Sequence, residues 1–195
     1  MLAVRSFAAM AARDELGLTN PLVPEEIVPF GDPAVLAKMD HVPDPELSLA
    51  ALQSFADFTR LLAAPERGAI TADVEAGTRV FAATGCAECH LPSWTTGSSA
   101  DAVLSGRTFA PYWDLLLHDL GIADGVPQGD ASGREIRTPP LWGLRFRSDL
   151  LHDGSASSVT EALAQHGGEA AEVRRRFESL SGSERAQLFA FLRSR

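Results

Sequence analysis

The sequence predicts an all-α fold, and three observations predict it. Apolar residues recur at helical spacing in several stretches. Two Ser-x-x-Glu patterns of the capping-box type open stretches near the C-terminus. No segment alternates apolar and polar residues convincingly at period two. A chain of 195 residues, 45% hydrophobic and 22% charged, is one domain with an extension and is long enough to bury a core.

Residues 1–45 carry Pro21, Pro24, Pro29, Pro33, Pro43 and Pro45. Proline fixes φ and has no N–H, so an extended, proline-rich segment with at most short helices is expected there. Residues 46–63 are expected to be helical, with Leu47, Leu52, Phe55, Phe58 and Leu62 roughly on one stripe, ended by Pro65 and Gly68. A second helix is expected over 72–84, on Val74, Gly77, Val80 and Phe81, with Gly85 at its stop. Residues 93–108 and 121–134 are rich in Gly, Ser, Thr and Asp and read as loops. The apolar run Tyr112 to Leu120 between them reads as a short helix. Thr138-Pro139-Pro140 must be non-helical. Ser158 and Glu161 open a helix that Gly167-Gly168 closes. Val173, Phe177 and Leu180 mark the next. Ser181 and Glu184 open the last, which carries Leu188, Phe189, Phe191 and Leu192. Leu-Leu-His-Asp occurs at 116–119 and 150–153, too short an echo to make a repeat.

The net charge of −9 argues against nucleic acid as a partner, because phosphate neutralisation needs a cationic face. No apolar run reaches the ~20 residues of a membrane span. The opening Met-Leu-Ala-Val-Arg-Ser-Phe-Ala-Ala-Met-Ala-Ala-Arg is rejected as a signal peptide, since Arg5 interrupts a short apolar stretch.

The chemistry lies at Cys86-Ala87-Glu88-Cys89-His90, where both cysteines of the chain stand. Cys-x-x-Cys-His is the attachment signature of haem c. Two thiols one turn apart each form a thioether to a porphyrin vinyl group, and the next residue sets an imidazole beneath the iron. A redox disulfide would sit in a βαβ context, which is absent. A zinc site would need two more ligands at a recognisable spacing, and His41, His118, His152 and His166 form no such pair. One covalent haem c is therefore expected on Cys86, Cys89 and His90. Gly77 and Phe81, just before the motif, permit a close crossing with the C-terminal helix, a pairing that small c-type cytochromes use. The expected organisation is an N-terminal extension with one helix over 1–70 and a cytochrome c-like haem domain over 71–195.

The sixth iron ligand follows by elimination. Met1, Met10, Met39 and Lys38 all precede the motif. Downstream stand His118, His152 and His166, with Tyr112 weaker. His166 is preferred, because it shares a face with Val159, Ala162 and Leu163 and precedes two glycines. His152, before Asp153-Gly154, suits a haem-edge role. Arg107, Arg137 and Arg145 flank the loops expected to cover the haem, and arginine forks pair with propionates; each taken alone reads first as an ordinary solvated surface residue.

The ordered series Gly-Cys-Ala-Glu-Cys-His, Pro-Tyr-Trp-Asp-Leu-Leu-Leu-His-Asp-Leu-Gly, Arg-Thr-Pro-Pro-Leu-Trp-Gly-Leu, Leu-Leu-His-Asp-Gly and His-Gly-Gly-Glu-Ala resembles the di-haem thiol oxidoreductase-like family, related to bacterial di-haem cytochrome c peroxidases. It covers roughly residues 46–195. The opening Arg-Ser-Phe-Ala-Ala-Met-Ala-Ala-Arg-Asp-Glu-Leu-Gly also looks like the family's interior. The resemblance implies a periplasmic redox protein with two haem domains. It implies a distal ligand from Ala164-Gln165-His166, and it matches His152-Asp153-Gly154 to a haem-proximal loop. The family carries a second Cys-x-x-Cys-His in its N-terminal half, and this chain has none, so it looks like the C-terminal haem domain alone. The expected function is electron transfer with a redox partner protein or a second haem domain. A peroxidase-like oxidoreductase, with an open iron position, is the alternative. A haem-free binding domain is the third class.

Overall fold

The computed structural model describes residues 4–195. The chain divides into two compact units, Met1–Ala63 and Ala64–Arg195. In the first, α1 (Val4–Leu16) packs on α3 (Leu49–Leu61) around Ala9, Ala12 and Leu52. The thirteen-residue α1 corrects the expectation of an extended segment over 1–45. Every proline of that stretch lies beyond residue 20, so nothing removes an N–H from the first four turns. The proline-rich remainder holds only α2 (Pro33–Met39), opened by Asp32, whose carboxylate accepts from the Ala34 N–H. The stripe predicted on α3 is also corrected. Leu52 is fully buried, but Phe55 and Phe58 are exposed, because α1 covers only the side of α3 that carries Leu52 and Ala56.

The second unit is framed by α4 (Ala72–Thr84) and α7 (Gly182–Arg193), which cross closely. Thr71 caps α4, and Gly85, at φ 98°, ends it in the left-handed conformation that glycine adopts without strain. The crossing requires Gly77. A Cβ there would collide with the Gln187 carbonyl and stand 2.7 Å from Phe191 Cβ. Phe81 of α4 packs against Phe191 of α7 with tilted rings whose centroids are 4.9 Å apart, and Tyr112 closes the cluster at 5.6 and 5.4 Å from the two rings. Val74, Leu188 and Leu192 complete this core. Ser181 and Glu184 form the predicted capping box of α7 with both hydrogen bonds in place. Ser158 caps α5 (Val159–Ala164), but Glu161 turns back to Ser157 instead. α6 (Ala171–Glu178) joins α5 to α7.

Residues 91–157 contain no α-helix. Two short antiparallel ladders organise them: β1 (Trp94–Thr95) with β2 (Thr108–Phe109), and β3 (Leu117–His118) with β4 (Ile136–Arg137). The fold is thus mostly helical with small strand pairs, not all-α. The helix expected over Tyr112–Leu120 does not form. Tyr112 (φ 55°) and Leu115 (φ 68°) are left-handed, and the run continues into β3. An apolar run of that length carries no period by which helix and strand can be told apart. Among the described residues, no helix is long and apolar enough to cross a membrane.

Candidate haem site

The Cys-x-x-Cys-His segment begins where Gly85 turns the chain off α4. Cys86–Glu88 form a single 3-10 turn, and the His90 N–H donates to the Cys86 carbonyl at 3.0 Å. One turn therefore carries both sulfurs and the imidazole on a short, fixed backbone. Both cysteines are free thiols and half-buried. Burial pushes the Cys86 thiol up to about 11, and burial likewise raises Cys89. Burial thus favours the neutral thiol over the thiolate at both positions.

His90 is oriented from behind. Its Nδ1 lies 3.0 Å from the Tyr112 carbonyl oxygen, which can only accept, so Nδ1 carries the proton. Nε2 keeps its lone pair and makes no hydrogen bond among the described residues. Burial drives the His90 pKa down to about 4, against the opposing pull of the Tyr112 carbonyl, so the ring is neutral at pH 7. A neutral imidazole with an N–H···O=C bond on its far nitrogen is the form in which histidine ligates a metal. Tyr112 makes this contact from a left-handed conformation that costs a non-glycine residue roughly 1–3 kcal/mol. The surrounding aromatic cluster holds it there. Trp113 N–H donates to the Leu91 carbonyl at 3.0 Å, tying the next residue to the chain just after His90.

His166 repeats the arrangement. It follows the end of α5, half-buried, with Nδ1 2.7 Å from the Ala162 carbonyl, leaving Nε2 unbonded among the described residues. Burial lowers its pKa as well. Charge on His166 or on His118 would also disfavour protonation of His90, after burial. Gly167 and Gly168 let this turn lie directly on residues 119–120. A Cβ on Gly168 would overlap the Asp119 carbonyl, and one on Gly167 would stand 2.9 Å from that of Leu120.

The other predicted residues lie differently. His118 is on β3, not in a helix, and both its ring nitrogens are bonded, Nε2 to Asp114 at 2.7 Å and Nδ1 to Glu169 at 2.8 Å. Arg137 is exposed on β4, with its guanidinium 5.4 Å from the Trp113 ring centre. His152 is exposed in a turn and makes no hydrogen bond among the described residues. Arg145 stacks on Phe146, and the side chain of Arg107 donates to the Val103 carbonyl. Sequence reasoning missed Asp114 and Glu169, which sit inside the quoted motifs but bear no ligand-like spacing. It also missed that the Tyr112 backbone oxygen, not its phenol, serves His90.

The donor set fits a haem. Two free thiols and a neutral imidazole with a free Nε2 stand on one turn, and a second half-buried imidazole, His166, is hydrogen-bonded in the same way. A mostly helical protein that presents Cys-x-x-Cys-His at the end of a core helix falls in the class of haem-binding proteins. A family profile described as "Di-haem oxidoreductase, putative peroxidase" matches residues 2–195, and the chain belongs to that family. Haem is accordingly the cofactor its family uses. Among solved structures, the chain is similar to "a MauG-like protein associated with microbial copper homeostasis", with a TM-score of 0.50 and 18% identity. The match covers 83% of this chain and 59% of that one, so this chain spans less than two thirds of that protein's length. At this identity the likeness concerns the fold alone. No curated protein matches the chain.

Proposed function

We propose that this chain holds one haem c, joined by thioethers to Cys86 and Cys89, with His90 as proximal and His166 as distal ligand, and that it transfers electrons. The observation that carries the reading is the matched state of the two histidines. Each donates Nδ1–H to a backbone carbonyl and keeps Nε2 free. The bound group would supply one-electron redox chemistry. The residues supply the rest. Tyr112 fixes the tautomer and orientation of His90. The Gly167-Gly168 turn holds His166. Arg137 would offer a guanidinium to a propionate, and His152 would serve at the haem edge. Covalent attachment is a chemistry of the space outside the cytoplasm, so a periplasmic location goes with it. The family's two-haem character makes a second haem domain, or a separate redox protein, the partner.

The test is an absorption and electron paramagnetic resonance study of protein matured with haem c. Acid–organic extraction should leave the haem on the polypeptide; colour lost to the solvent would refute attachment. Wild type should be six-coordinate and low-spin, with a potential below that of His/Met sites, since methionine ligation raises the potential. His166→Ala should turn the iron high-spin, and added imidazole should reverse it. The family description favours a second reading, a peroxidase-type enzyme. A high-spin, open wild-type iron would put that reading first.

A further inference from the structure

His118 joins two carboxylates from separate segments of the candidate site, one near the residue that holds His90 and one just beyond His166. Asp114 is two residues from Tyr112, the residue whose carbonyl holds His90. Its buried side chain accepts from the Leu116 N–H at 2.9 Å as well as meeting His118. Glu169 is three residues beyond His166, at the end of the glycine turn. One of its oxygens accepts from the Asp119 N–H at 2.9 Å, the other meets His118 Nδ1, and its own N–H donates to the Asp119 carbonyl. A neutral imidazole has a single N–H. Two carboxylates at 2.7 and 2.8 Å call for a donor on each nitrogen, so His118 is an imidazolium making two charge-assisted bonds. The Glu169 bond foremost, against burial and together with Asp114, raises its pKa. The 51-position separation of His118 and Glu169 is closed by this contact and by the tight seat of Gly168 on Asp119.

We propose that His118 is a positioning residue for the iron's axial pair: it clasps the turn carrying His166 to the Tyr112–Asp114 segment behind His90, and so holds the distal imidazole at its post. The inference rests on the ligand assignment under Proposed function. Its physical content is that opening the distal position requires the turn to move, and the turn cannot move without breaking a bond between unlike charges. His118 is thereby spent as a brace, which also explains why it is no ligand itself.

The experiment uses ferric holoprotein of the full chain and cyanide as the probe. Cyanide binds a six-coordinate iron only after the distal ligand leaves, so its association rate reads the hold on that ligand. His118→Gln and Glu169→Gln should each speed cyanide association by at least about tenfold, the size of one charge-assisted hydrogen bond. The double variant should be no faster than the quicker single one. His166→Ala should be fast, and adding His118→Gln to it should change nothing further; a merely structural role for His118 would still alter the rate there. Glu169 is exposed and Glu169→Gln preserves its shape, so this variant tests the clasp even where His118→Gln folds poorly. If His166→Ala is fast and high-spin while Glu169→Gln and His118→Gln keep the wild-type rate, the clasp is wrong and the ligand assignment stands. If His166→Ala leaves spin state and rate unchanged, the ligand assignment falls, and the clasp with it.

Discussion

Within residues 64–195, α4 and α7 keep their places by packing, whereas residues 91–157, apart from the part around Tyr112 that packs into the core, keep theirs mainly by polar contacts. Phe191 and Leu188 are fully exposure-free, and Gly77 brings two backbones together. The connecting stretch leaves Leu115, Leu116 and Leu117 about half exposed and relies on two-residue ladders and side-chain bonds to backbone. Trp94 Nε1 donates to the Trp113 carbonyl at 2.6 Å, and Arg134 meets Asp119 at 2.7 Å. The difference divides the labour at the site. The packed pair delivers Cys86, Cys89 and the backbone of His90. The polar stretch, through Tyr112, decides which nitrogen of His90 is free. Damage to the first should unfold the unit, and damage to the second should leave it folded with an altered site.

The largest effect is expected from Phe191→Ala, which empties the centre of the aromatic cluster. A loss of about 3–5 kcal/mol in urea unfolding is the usual scale for such a truncation. Retention of wild-type stability would mean that α4 and α7 are not the structural frame. Gly77→Ala comes next, at about 1–3 kcal/mol, since the helices must part to admit one methyl group. Its partner signature is a changed environment for Phe81 and Tyr112, readable by near-ultraviolet circular dichroism.

Acid should produce a gentler change in haem-free protein. The folded pKa of His90, about 4, lies below the ordinary 6.5, and that of His166 is lowered too. Their contribution is present above pH 6.5 and lost as the pH falls toward 4, because the unfolded chain takes up these protons first. His118 runs the other way: its raised pKa gives stability that is present below 6.5 and fades as the pH rises through the folded value. Denaturant midpoints from pH 7.5 down to 4.5 should fall, and His90→Gln should flatten the slope. An unchanged slope in that variant would move the effect to other groups.

In the polar stretch, Trp94→Phe should cost about 1 kcal/mol, the net worth of one hydrogen bond. It should shift the haem absorption bands of holoprotein more than it shifts the unfolding midpoint. The smallest effect belongs to Arg134→Ala. Its side chain is 79% exposed and the ion pair is a surface one, so stability should stay within about 0.5 kcal/mol. A loss as large as that of Gly77→Ala would erase the distinction between the two regions.

The sequence by itself determined the helices at 72–84 and 182–193, their caps at Gly85 and Ser181, and the Cys86–His90 turn. Each is written within a few adjacent residues: an apolar period, a capping side chain, a cysteine spacing. What tertiary structure alone decided was long-range. Tyr112 and Leu115 adopt left-handed backbone that an apolar run never announces, and α1 forms ahead of the prolines that suggested an extended segment. Asp114 and Glu169 meet at His118 across more than fifty residues, although neither has a neighbour in sequence that hints at the other. Local pattern specifies which elements form and which groups they carry. The partner of a polar atom in an irregular stretch depends on where the whole unit closes, because its hydrogen bond is satisfied only after the packed helices have brought the two segments together.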